Sequence, residues 1–121
     1  MFRATSGHGS EPWVTDGNVG GTSMLLDLMP DGNSFPDEFV VLGNQVLFAA
    51  TVPGLGRELW KTDGTTAGTV LVKDIRPGSL DSSPAGLVVM NGFVYFSAVD
   101  GVHGFELWRS DGTAAGTTLV K

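Results

Sequence analysis

ELWKTDGTTAGTVLVK, residues 58–73, recurs as ELWRSDGTAAGTTLVK at residues 106–121, with 12 of 16 positions identical. The four differences are Lys61/Arg109, Thr62/Ser110, Thr66/Ala114 and Val70/Thr118. A more divergent copy, EPWVTDGNVGGTSMLL at residues 11–26, holds Glu11, Trp13, Thr15, Asp16, Gly17, Gly21 and Thr22 in register, so the spacing is 47 and then 48 residues. The intervening stretches align as well. Pro30 stands with Pro77, Ser34 with Ser82, Pro36 with Pro84, Gly43-Asn44 with Asn91-Gly92, and Phe48 with Phe96. Residues 2–9 stand where residues 48–56 and 96–104 stand later.

Each period divides into short runs of alternating apolar and polar residues bounded by turn formers, the pattern of regularly spaced strands. In the second period strands are predicted at 39–42, 46–50, 58–62 and 69–74, and in the third at 87–90, 93–99, 106–110 and 117–121. Asn91-Gly92 favours positive φ at both centres of a two-residue hairpin, and Gly43-Asn44 is expected to serve the same turn in reverse order. Between third and fourth strands, Asp-Gly-Thr-x-x-Gly-Thr reads as a longer loop whose Asp carboxylate accepts backbone N–H groups and whose two glycines take left-handed conformations. No apolar stripe of helical period and length is present.

Four-stranded antiparallel units of about 40 to 50 residues, repeated in tandem, are the pattern of β-propeller blades. The expected architecture is all-β, with eleven strands in one repeat domain. A first blade lacking its opening strand covers 1–36, and complete blades cover 37–83 and 84–121. Propellers close with about four to eight blades. About three blades therefore call for neighbouring repeats of a longer chain or for a homo-oligomer, a dimer giving six.

The Glu-Leu-Trp-x-x-Asp-Gly-Thr strings at 58–65 and 106–113, with Glu11-Pro12-Trp13-Val14-Thr15-Asp16-Gly17-Asn18, resemble the ELWxxDGT repeat of long bacterial proteins, some called hyalin-like. The first copy departs at Pro12 and Asn18. The resemblance implies propellers in exported or surface-associated proteins, hence an extracellular or cell-surface location, and it brings no catalytic residues or cofactor.

Composition narrows the function. The chain has 121 residues and a net charge of −6, without a run of Lys or Arg, so it lacks the basic surface that nucleic acid requires. It has no cysteine, which excludes thiolate catalysis and disulfides. No apolar run reaches the roughly 18 residues of a spanning helix, and MFRATSGHGS lacks the apolar region of a secretory signal, so neither membrane insertion nor a signal peptide is expected. No G-x-S-x-G, S-x-x-K or H-E-x-x-H string occurs.

The repeated positions are the candidate residues. Trp13, Trp60 and Trp108 recur once per blade, as packing between blades or as aromatic platforms for sugars. Glu11, Glu58 and Glu106 lie two residues earlier, on the same strand face, and are expected to accept backbone or hydroxyl donors from the next hairpin. Asp16-Gly17, Asp63-Gly64 and Asp111-Gly112 read as turn formers rather than calcium ligands, because no loop has the oxygen density of a calcium site. The stretch Asp31 to Asp37 is the richest oxygen cluster. His8, Leu55 and His103 share one loop position and are candidate ligand contacts on the rim. No metal, cofactor or catalytic site is expected. The reading is a non-enzymatic interaction, adhesion or surface scaffold binding protein or glycan. A lectin with one equivalent pocket per blade and a non-catalytic piece of a propeller enzyme are the alternatives.

Overall fold

The computed structural model describes residues 2–6, 9–14, 23–24, 33–78, 80–102 and 104–120. Among the described residues the chain is all-β with no helix. The strands are β1 (Phe2–Ser6), β2 (Gly9–Val14), β3 (Ser23–Met24), β4 (Asp37–Leu42), β5 (Gln45–Val52), β6 (Gly56–Thr62), β7 (Val70–Lys73), β8 (Ala85–Met90), β9 (Phe93–Val99), β10 (Phe105–Ser110) and β11 (Thr118–Leu119). They form three antiparallel sheets in sequence order: β1-β2-β3, β4-β5-β6-β7 and β8-β9-β10-β11. In the second and third sheets no boundary moves from the sequence expectation by more than two residues, and β9 does not move at all. The fourth strands are shorter, because pairing stops at Lys73 and at Leu119.

Two-residue loops fix the first hairpin of the second and third sheets, with Leu42 opposite Gln45 and Met90 opposite Phe93. The turns differ. Asn91 and Gly92 both have positive φ (53° and 80°), as a type I′ turn requires, whereas at the other hairpin only Gly43 does (63°), the sign pattern of a type II′ turn. Reversing the dipeptide therefore preserves the register and changes the turn. Both opening strands carry a bulge at one position, between Asp37 and Val40 and between Ala85 and Val88. At its centre Glu38 and Gly86 hold positive φ (62° and 67°). The bulge bends the opening strand.

Alternation along the strands assigns the faces. Leu42, Leu47, Leu59 and Val72 of the second sheet pack against Leu87, Val94, Phe96, Ala98 and Trp108 of the third, with Ile75 from the connection between them. Phe48, Ala50 and Trp60 form a second cluster on the opposite face of the second sheet, joined by Phe39, Val52, Leu55 and Leu71. The middle sheet is thus buried on both faces. Lys61 and Lys73 tie it to the third sheet by donating from Nζ to the carbonyls of Gly112 (2.7 Å) and Thr117 (3.1 Å).

Candidate functional site at the sheet junctions

The repeated acidic residues resolve into two jobs. In the loop after β6, Asp63 Oδ1 accepts from Thr65 N–H (2.9 Å) and from Thr65 Oγ1 (2.6 Å), while Thr65 Oγ1 accepts from Gly68 N–H (3.0 Å). Thr69 Oγ1 donates to the Thr65 carbonyl (2.7 Å), so in the 2.7 Å contact between Thr62 and Thr69 the proton comes from Thr62. The loop after β10 repeats this with Asp111, Thr113, Gly116, Ser110 and Thr117. These hydroxyl and amide donors hold both carboxyls below the usual Asp range. Gly64 and Gly112 have positive φ (95° and 92°). Gly68 and Gly116 do not, contrary to the expectation for both glycines of the loop. They are needed for space, because a Cβ there would overlap the Asp63 or Asp111 carboxylate.

Glutamates do the second job. Glu58, fully buried, accepts at Oε2 from Ile75 N–H (2.9 Å) and Ser82 Oγ (2.6 Å), and at Oε1 from Arg76 N–H (3.3 Å). Glu11, also fully buried, accepts from Ser34 Oγ (2.6 Å) and Ser34 N–H (3.2 Å). Burial pushes the Glu58 carboxyl up to about 7, against the pull of its three donors. The donors come from the segment that leads into the next sheet, not from a hairpin within it.

Those segments are equivalent, Asn33-Ser34-Phe35-Pro36 and Asp81-Ser82-Ser83-Pro84. Each clamps one residue of the preceding sheet on both sides. Asn33 Oδ1 accepts from Ser10 N–H (2.6 Å) and Asp81 Oδ1 from Arg57 N–H (2.7 Å). The carbonyl of Ser10 accepts from Ser34 N–H, Ser34 Oγ and Phe35 N–H at 3.0–3.1 Å, and that of Arg57 from Ser82 N–H, Ser82 Oγ and Ser83 N–H at 2.9–3.2 Å. Serine then reaches forward: the Ser34 carbonyl accepts from Thr51 N–H (2.8 Å) and the Ser82 carbonyl from Val99 N–H (2.9 Å). One serine thereby joins a strand of the sheet behind to the second strand of the sheet ahead. Phe35 and Ser83 sit in the left-handed region (φ 46° and 51°), where non-glycine residues are uncommon and the residue before a proline is rarer still.

The remaining candidates fall as follows. Trp60 and Trp108 are buried in the two apolar clusters, as packing residues, and Trp13 is half-buried. Their three indole Nε1–H groups are buried without a hydrogen-bond partner, a feature repeated in each sheet. Leu55 packs against the Phe48–Ala50–Trp60 cluster. Its loop is taken up by the junction, since a Cβ on Gly56 would lie 2.5 Å from the Leu80 carbonyl oxygen. Glu106 is half-buried on β10. His8, His103, Asp16 and Gly17 lie outside the described residues, as do Asp31 and Gly32. Of the rest of that oxygen cluster, Asn33 is a clamp residue and Asp37 caps Glu38 N–H (2.8 Å). Among the described residues no group of three His, Cys, Asp or Glu could hold a metal ion.

Sequence reasoning paired Ser34 with Ser82 but gave them no role. The signal for the clamp was the shared Asx-Ser-x-Pro pattern, hidden because Asn33 and Asp81 differ in identity. No family model, no curated protein and no solved structure matches this chain.

Proposed function

We propose that the chain is a non-enzymatic repeat module whose sheets are β-propeller blades, acting as an interaction, adhesion or surface scaffold. The observation that carries this reading is the junction. The acidic residues that recur from repeat to repeat hold turns (Asp63, Asp111) or fasten one sheet to the next (Glu11, Glu58), so the repeated chemistry serves assembly. Such a unit adds to its neighbour through the same contacts each time, as in repeat proteins whose stability is a sum of unit and interface terms. The ELWxxDGT resemblance supports an exported, surface-associated setting in which the module presents loops to protein or glycan partners.

A glycan array probed with the folded chain tests the binding half of the reading against a lectin. Scattered weak signals or none fit the scaffold. Saturable binding to one sugar class, lost in Trp13→Ala, would replace the scaffold with the lectin.

A further inference from the structure

The third sheet repeats the receiving half of the junction, with no described residue seated on it. Gly9-Ser10-Glu11 and Gly56-Arg57-Glu58 each hold an Asx-Ser-x-Pro segment, and Gly104-Phe105-Glu106 is their counterpart. The backbone is already set. Gly104 has φ 65° where Gly56 has 76°. Phe105 stands opposite Val99 as Arg57 stands opposite Thr51. Arg57 turns its N–H and C=O away from β5 toward the clamp, so Phe105 turns the same groups away from β9. Space is set too: a Cβ on Gly56 would strike Leu80 and Asp81, whereas a Cβ on Gly104 would meet nothing within 4 Å. Glu106 makes no hydrogen bond among the described residues.

The adjoining face matches. Leu42, Leu59 and Val72 are 9%, 0% and 5% exposed beneath the third sheet, while their counterparts Met90, Leu107 and Val120 are 53%, 43% and 44% exposed. Apolar side chains are thus uncovered at positions that are elsewhere an inter-sheet core, and uncovered apolar surface of this kind marks interaction sites.

We propose that Gly104-Phe105-Glu106, with the Met90–Leu107–Val120 face, is a docking site for a four-stranded antiparallel sheet led by an Asx-Ser-x-Pro segment. The Asx side-chain oxygen accepts from the Phe105 N–H, the serine N–H and hydroxyl donate to the Phe105 carbonyl, and the hydroxyl donates to Glu106. The occupant is not a second copy of this chain. Both Asx-Ser-x-Pro segments described here are already engaged, so a copy has none free to offer. The inference rests on the repeat reading and is independent of what the module binds.

The test joins a duplicate of residues 74–121 after Lys121, which stands where Lys73 stands, so the 47–48-residue spacing continues. Hydrogen exchange by NMR reads the Phe105 amide, and urea unfolding reads stability, in the parent and in the extended chain. The expected result is at least a tenfold slower exchange at Phe105 in the extended chain and a higher unfolding midpoint. Glu106→Gln and Gly104→Ala should each lower the midpoint of the extended chain by clearly more than that of the parent. Unchanged Phe105 exchange overturns the proposal, whether or not the duplicate folds, because the same 48 residues already fold on the second sheet. Equal effects of Glu106→Gln in both chains would also sink it. So would a parent chain that self-associates through this face, seen as protection of Phe105 that rises with concentration and is lost in Leu107→Lys.

Discussion

At the residue scale, Glu58 joins two elements at an electrostatic cost. A buried carboxylate with three donors is stabilised by each of them, yet its ionisation is resisted by burial, which wins and raises the folded-state carboxyl from 4.5 to about 7. Between those values the folded chain holds more protons than the unfolded one, so this group's contribution to stability is full below pH 4.5 and is lost as pH rises toward 7. The expected outcome is an unfolding midpoint that declines over that window in the native chain and stays nearly flat in Glu58→Gln, read by urea titration at several pH values. Ser82→Ala should raise the Glu58 carboxyl further, since the hydroxyl favours the ionised form, and above pH 7, where Glu58 is charged, should cost about 1.5–3 kcal/mol. A Ser82→Ala chain of unchanged stability would remove serine from the junction. Asp63 and Asp111 act in the opposite sense. Their lowered carboxyls contribute stability above the usual Asp range, and it is lost as pH falls through their folded values.

At the element scale, the loops and bulges separate what local chemistry decides from what packing decides. The Asp-Gly-Thr-x-x-Gly-Thr loop was legible because Asp, Thr and Gly lie within five residues of one another and bond among themselves. Strand placement was legible from two-residue alternation. That the glutamates accept hydroxyl and backbone donors was legible, but not that the hydroxyls are those of Ser34 and Ser82, because the partners are 23 or 24 residues apart and nothing local to either requires the other. The left-handed Phe35 and Ser83 ran against the usual preference before proline, a case of tertiary contacts overriding a local bias. These distinctions give two measurements. Gly86→Ala meets no atom within 4 Å and should cost roughly 1 kcal/mol, the conformational penalty alone. Gly116→Ala displaces the Asp111 carboxylate and with it the turn, for about 1–3 kcal/mol. That second cost should largely vanish in an Asp111→Ala background, a non-additivity that a double-mutant cycle in urea reads directly. Additive losses would mean that the carboxylate and the glycine do not meet.

At the scale of the whole molecule, the middle sheet is covered on both faces, while Met90, Leu107 and Val120 of the third are left to solvent. The blade reading expects such a surface to be closed by further sheets. Light scattering across a concentration range is the direct measure of whether copies of this chain supply them. A stable species of 12.6 kDa would show that copies do not supply them, whereas twice that mass would match a six-blade ring made by two copies and would count against a separate sheet docking on the third. Deleting residues 1–6 removes β1, the partner of β2, and should lower the thermal midpoint by several degrees while increasing binding of a hydrophobic dye at the Phe48–Trp60 face. An unchanged midpoint would show that β1 contributes little to the first sheet.

The junction serines also bear on how such a chain is made. Each clamp closes a loop of only 23 to 26 residues, so sealing one sheet to the next waits on nothing distant in the chain. Contacts this local favour rapid folding, and domains assemble from the N-terminus as synthesis proceeds. A nascent chain can therefore fasten each sheet to its predecessor as soon as about two dozen more residues leave the ribosome. The order of translation becomes the order of assembly, and the newest sheet always presents an open face to the next.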